Sequence, residues 1–132
     1  MNINQIRNLE FFQNLGKLFY AVAFADKNIV KEEFSTLVSC LDDSSFSHIF
    51  LETEFKYHVI SIFNTLYLEQ SDAQKCFDEF LDYKKQNNNL FSKPINEAIL
   101  KMASKLAASF SGQNKSELIM LVNLSIELKK GN

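Results

Sequence analysis

Apolar residues recur every three or four positions along most of the chain, which is the period of an α-helix. The first stretch predicts one long helix over residues 3 to 25. Its apolar stripe is formed by Ile6, Leu9, Phe12, Leu15, Phe19 and Val22. Gly16 lies inside this helix, where glycine costs roughly 1 kcal/mol relative to alanine. We therefore expect Gly16 to face a closely packed neighbouring helix rather than solvent.

The same period predicts further helices downstream. A second, short helix has its apolar positions at Phe34, Leu37, Val38 and Leu41. The turn-favouring segment 41–45 ends it, and residues 46–50 add one helical turn. The next helix has its apolar positions at Phe55, Val59, Ile62, Phe63 and Leu66.

Polar signals mark the ends of the later helices. Residues 71–74 have the capping-box pattern and open a helix that contains Phe77, Phe80 and Leu81. The segment "KKQNNN" (84–89) predicts a loop, and Pro94 stands in the first turn of a fifth helix. The seam of that helix is Ile95, Ile99, Met102, Leu106 and Phe110. After Ser111-Gly112, residues 114–117 cap a sixth helix, with Leu118, Leu121, Val122 and Leu128 as its apolar positions.

Composition agrees with one all-α domain over residues 1–132. Apolar residues make up 46% of the 132 positions, which excludes a disordered chain, and 132 residues can bury an independent core. Three glycines and one proline are too few for a turn-rich β architecture. The connections are short, so neighbouring helices should pack roughly antiparallel in a compact bundle.

Charge and hydropathy limit the classes of molecule that the chain could bind. The net charge is −2 and no basic stripe occurs, which argues against nucleic acid. Lys84–Lys85 and Lys129–Lys130 stand near predicted helix C-termini, where cations favour the helix dipole. No apolar run is long enough to insert into a membrane, and the N-terminus lacks the pattern of a signal peptide. Cys40 and Cys76 are read as free core thiols, and the expected location is cytoplasmic.

The acidic turn after the first helix has two interpretations. Asp26, Asn28, Glu32 and Glu33 could hold a divalent cation such as Ca²⁺ or Mn²⁺, because hard cations prefer several carboxylate oxygens. They could also be helix caps that meet the positive end of the helix dipole, and this structural role is the preferred interpretation. An EF-hand is excluded, because Lys31 stands where that loop requires glycine.

Two turns of the chain resemble each other. In "AVAFADKNIVKEEFSTL", Ala25-Asp26 is followed by Ile29 and Glu33; in "KLAASFSGQNKSELIML", Ser111-Gly112 is followed by Glu117. Together they resemble the TerB-like family, the tellurite-resistance B type of helical domain, whose motif runs Ala-Asp-Gly, a few residues, then Glu. The resemblance covers nearly the whole chain. It implies a bundle of about six to seven helices with two related helix–turn–helix halves.

This chain departs from the family motif at two positions. Lys27 stands where the family's first glycine is expected, and Ser111 where its second aspartate is expected. A cation site of the family type would therefore retain only Asp26, Glu33 and the adjacent Glu32.

No catalytic constellation is visible in the sequence. His48 and His58 are too far apart for a helical metal pair, and the glycines form no phosphate loop. The crowded aromatic residues of the middle third are mainly core, with Tyr57, Tyr67 and Tyr83 suited to the rim of an interface. These features predict a non-enzymatic interaction module with an unknown protein partner or a homo-oligomer. The resemblance adds a stress-response setting, and a weak cation-binding domain is the alternative.

Overall fold

The computed structural model describes residues 3–25, 39, 54–109 and 115–130. Every regular element in these residues is helical, which confirms the all-α prediction for them. The α-helices are α1 (Ile3–Ala23), α2 (Glu54–Leu68), α3 (Ala73–Gln86), α4 (Lys93–Ser109) and α5 (Lys115–Lys129), with a 3-10 turn at Asn88–Leu90 between α3 and α4. The helix predicted around 34–41 and the turn at 46–50 lie outside the described residues.

Helix α1 is the centre of the described bundle. It contacts all four of the other α-helices. Leu15, Phe19 and Val22 of the predicted stripe are fully buried, but so are Leu18 and Ala21 on other sides of the helix. A helix that is apolar all round belongs inside a core, and α1 has this character over its second half.

The approach of α2 to α1 depends on Gly16. Gly16 is buried, and a Cβ built on it would overlap the Cγ2 methyl of Ile62 and lie 3.2 Å from the carbonyl oxygen of Val59. The expectation that this glycine faces a neighbouring helix is therefore confirmed. The absence of a side chain at one position lets the two backbones pack together.

The turn between α2 and α3 is closed by backbone bonds. The amide of Ser71 donates to the carbonyl of Leu66, and Gln70 has the left-handed φ of 53° that this type of helix end requires. The predicted capping box was wrong by one residue, because Asp72, not Ser71, caps α3 by accepting from the amide of Lys75 at 2.8 Å. Tyr20 of α1 donates to the carbonyl of Ser71 at 2.6 Å and so ties the turn to the core.

The loop predicted over 84–89 is shorter than expected. Helix α3 continues to Gln86, so Lys84, Lys85 and Gln86 form its last turn. Lys84 is buried, which a stretch without apolar residues did not suggest. In α4 the prediction was accurate: the helix begins at Lys93, and Ile99, Met102 and Leu106 of its seam are buried.

Helix α5 buries a different face from the one predicted. Met120, Leu124 and Leu128 are buried against the bundle, whereas Leu118 and Val122, which were expected in the core, are exposed. Of the four predicted apolar positions only Leu128 is fully buried, and Leu121 packs partly against the core. Leu118 and Val122 of α5 therefore belong to the surface of the bundle and not to its core.

We predict that Gly16→Ala lowers the free energy of unfolding by roughly 1–3 kcal/mol, because the added methyl overpacks the α1–α2 contact. Ile62 is β-branched and cannot turn its methyl away cheaply within a helix. Chemical denaturation of both proteins measures the loss. Gln13→Ala, on the exposed side of the same helix, is the control and should be neutral or slightly stabilising. Stabilisation by Gly16→Ala would contradict the close contact.

Candidate functional site

An exposed apolar surface runs along α5. We call it the outer face and define it as Leu118, Ile119, Val122 and Ile126, with 46%, 51%, 58% and 51% of these residues exposed. Ile119, Val122 and Ile126 follow one another at spacings of three and four, so they form one stripe along the helix. The outer face is therefore a continuous surface and not a set of isolated residues.

The two apolar faces of α5 lie on opposite sides of the helix. Residues 118–122 are five consecutive apolar positions, and a helix turns by about 100° per residue, so they cannot all face one way. Met120 points inward and Ile119 and Val122 point outward. This unbroken run was the sequence signal for a second apolar face, and the prediction missed it by assigning Leu118 and Val122 to the core.

Lysines bound the outer face at both ends. Lys115 lies four residues before Ile119 and Lys129 lies three residues after Ile126, so both stand on the same side of α5. Both are exposed. Residues 93–132 contain six basic and three acidic side chains, a net +3, so in a chain of net −2 the first 92 residues carry −5. The apolar surface thus belongs to the basic part of an acidic chain.

A cavity of about 380 Å³ lies between α4 and α5, beside the outer face. Its apolar lining comes from Leu100 and Leu128, and Lys93 and Lys129 line it as cations. Its other lining residues are Asn96, Glu97 and Ser125. Lys129, which bounds the outer face, also lines the cavity, so the cavity lies beside the C-terminal end of the outer face on the side of α4.

Two buried polar side chains hold the C-terminal end of α5. The amide nitrogen of Asn96 donates to the carbonyls of Leu128 (3.0 Å) and Phe91 (3.1 Å), and the ammonium of Lys84 donates to the carbonyl of Lys130 (3.2 Å). The last carbonyls of a helix have no partners within the helix, so these bonds satisfy them. We call this group the C-terminal anchor, and it fixes the rotation of α5 that leaves the outer face outside.

Lys84 carries its charge into a partly apolar environment. It also donates to Asn88 Oδ1 at 3.3 Å, and its nitrogen lies 5.9 Å from the centre of the Phe91 ring. Burial lowers the pKa of Lys84, while the nearby Glu127 carboxylate acts in the opposite direction. Lys84 lies in the last turn of its own helix, as the sequence predicted, and its ammonium also reaches across to the C-terminal end of α5.

The amide of Asn96 has one clear orientation. Both of its neighbours are carbonyl oxygens, so the nitrogen and not the oxygen must face them. Its Oδ1 is then buried and accepts no hydrogen bond from the described residues. The amide nitrogen connects α4, α5 and the segment before α4.

The residues predicted as metal ligands, Asp26, Asn28, Glu32 and Glu33, lie outside the described residues, so the cation site stays a prediction. Among residues 3–25, 39, 54–109 and 115–130, no cluster of three or more metal-ligating side chains occurs. His58 stacks on Phe12 with ring centres 6.3 Å apart, and the sequence analysis assigned it no ligand role.

Cys76 is a buried thiol, as predicted. Its burial and, less strongly, the Glu79 carboxylate raise its pKa to about 11, so it is protonated at neutral pH and a poor nucleophile. Among the described aromatic residues of the middle third, Phe63, Phe77 and Phe80 are buried, and Tyr67 and Tyr83 pack partly against the core. Tyr57 is exposed, and in the described part of the chain the contiguous exposed apolar residues are those of α5.

Comparisons with protein-family models, curated proteins and solved structures found no match. The resemblance to the TerB-like family therefore remains a prediction from the two turns. In the part of the chain that the structure describes, no helix has both the length and the hydropathy needed to cross a bilayer.

We predict that Asn96→Ala destabilises the chain by about 1–3 kcal/mol, because it leaves two buried carbonyls without donors. Asn96→Asp should be worse, since a carboxylate would face those carbonyls. Hydrogen exchange should show the amides of α5 opening faster in both variants, and denaturation measures the loss. Asn123→Ala, an exposed asparagine of α5, is the matched control and should change stability by less than about 0.5 kcal/mol. Equal stability of the Asn96 and Asn123 variants would contradict the anchor.

Proposed function

We propose that this chain is a non-enzymatic, TerB-like helical module of the cytoplasm that binds another protein through the outer face of α5. The proposal includes a single domain over residues 1–132, with six to seven helices in two related halves. Its stress-response setting rests on the family resemblance of the two turns. The protein-binding role rests on the outer face.

The outer face is the observation that carries the proposal. Its four side chains are contiguous, each about half exposed, and lie on a helix whose opposite side is already packed. Contiguous exposed apolar surface of this kind is characteristic of interaction sites, whereas scattered apolar residues are ordinary. Tyr57 and Leu68 of α2 are examples of the scattered kind, because they are exposed but eleven positions apart.

In-cell crosslinking tests the proposal. The wild-type chain should form a discrete crosslinked product with a second protein, and the double variant Ile119→Gln/Val122→Gln should lose it. Both substitutions replace exposed side chains, so the variant should fold, which circular dichroism and the melting temperature check. The expected reason for the loss is that the partner's apolar surface would be buried against unpaired amides.

The control for this experiment is Leu68→Gln, which removes an even more exposed apolar side chain from α2. It should leave the crosslinked product intact. If the α5 double variant keeps the product while remaining folded, the outer face is not the binding surface and the proposal is wrong.

The alternative is a divalent-cation module that uses the turn of Asp26, Asn28, Glu32 and Glu33, and the run of carboxylates there is what favours it. It predicts that chelator lowers the melting temperature of the wild type and not of Asp26→Asn, because a cation needs the charge. Helix capping predicts that Asp26→Asn retains stability with or without chelator and that Asp26→Ala loses about 1 kcal/mol. Melting temperatures of all three proteins, with excess Ca²⁺ or Mn²⁺ and with chelator, decide between them.

A further inference from the structure

We infer that the outer face of α5 and the adjoining cavity bind an amphipathic helix of another protein whose apolar stripe ends in carboxylates. The inference rests on the proposed function and adds the chemical class of the partner. Three features carry it: the spacing of the apolar side chains, the two lysines that bound them, and the cavity between α4 and α5.

The spacing fits a helical partner. Ile119, Val122 and Ile126 form a straight ridge over two turns of α5, with Leu118 beside it. A second helix can pack along such a ridge with its own side chains at spacings of three and four. In helix-in-groove recognition, the bound helix contacts its receptor through apolar side chains at this spacing.

One apolar side chain of the partner helix could enter the cavity. It has an apolar lining from Leu100 and Leu128 and lies beside the C-terminal part of the outer face. Its volume of about 380 Å³ exceeds that of a single large side chain. A flat apolar surface would not discriminate between apolar ligands. A ridge beside a cavity instead favours a partner helix that has its own apolar ridge and one side chain long enough to enter the cavity.

The lysines argue against a second copy of this chain as the occupant. In an antiparallel pair centred on Val122, Lys115 would face Lys129 of the other copy. In a parallel pair each lysine would face its own counterpart. Either orientation places like charges together at both ends of the interface, which is unfavourable. Carboxylates one turn beyond each end of the partner's stripe would instead meet opposite charges.

The same features make a lipid surface a poorer fit. The four apolar side chains are each about half covered by α5 and its neighbours, so little of them could enter a bilayer. The site has three lysines, Lys93, Lys115 and Lys129, and Glu97 at the cavity offsets part of their limited attraction to anionic headgroups. Membrane binding by a surface helix normally needs a stronger basic face.

The test uses the full chain and two synthetic peptides of about three heptads. Both carry leucine at the a and d positions; one has glutamate and the other lysine at both ends of that stripe. Fluorescence anisotropy should show tighter binding of the glutamate peptide, and salt should reduce the difference. Lys115→Glu/Lys129→Glu should weaken that binding roughly tenfold and reverse the preference between the peptides.

Two controls separate the site from general effects. Lys75→Glu changes an exposed lysine of α3 and should leave the preference unchanged. Val122→Ser should weaken the binding of the glutamate peptide, whereas Leu68→Ser should not. Circular dichroism checks that each variant is folded. If Val122→Ser is unfolded, the Lys115→Glu/Lys129→Glu variant still tests the inference.

Other outcomes overturn the inference. Equal binding of the two peptides, preference for the lysine peptide, or no binding of either excludes an acid-bounded helix. Binding to phosphatidylserine vesicles in place of the peptides would indicate a membrane surface. A dimer in sedimentation that Val122→Ser abolishes would indicate a second copy. If the inference fails but in-cell crosslinking still depends on Ile119 and Val122, the proposed function stands with a different partner; if that dependence is also absent, both fall.

Discussion

The burial of the second half of α1 on all sides is the constraint on which the rest of the described structure depends. From Leu15 to Phe24 nearly every side chain is inside, including Tyr20, whose hydroxyl reaches the carbonyl of Ser71. A helix of this kind cannot face water on any side, so α2, α3, α4 and α5 must all contact it. Because α2 packs where Gly16 has no side chain, the contact between α1 and α2 depends on one small residue.

The position of α5 follows from a second, polar constraint. Its inner side is apolar, but apolar packing alone would tolerate a helix that rotates by a fraction of a turn, since its other side is apolar as well. The C-terminal anchor removes that freedom, because Asn96 and Lys84 reach specific carbonyls at the end of α5. Hydrogen bonds are directional where hydrophobic contacts are not, so two buried polar groups decide which apolar face is left outside.

The sequence predicted the parts of the fold that depend on local periodicity. The extent of α1 to within two residues, the existence of α2, the start of α4, the close contact at Gly16 and the buried Cys76 all follow from spacing and residue type. It failed where a tertiary contact decides. Nothing local marks Lys84 as buried, because its partner at Lys130 is 46 residues away. In α5 both faces are apolar, so periodicity allowed two rotations of the helix, and the hydrogen bonds of the C-terminal anchor decide between them. The acidic turn, with Asp26 and Glu33, was predicted from sequence alone and lies outside the described residues.

Helix α3 shows that this bundle does not require an apolar outer surface. Its exposed positions are all polar: Gln74, Lys75, Asp78, Asp82, Lys85 and Gln86. It nevertheless buries Cys76, Phe77 and Phe80 on its inner side and packs on α1 as α5 does. Polar residues at the outer positions of α5 would therefore cost the folded chain little, since surface substitutions away from special features change stability only slightly. Isoleucine and valine at Ile119, Val122 and Ile126 thus contribute little to the packing of the described helices. The proposed apolar partner would give these side chains a physical role.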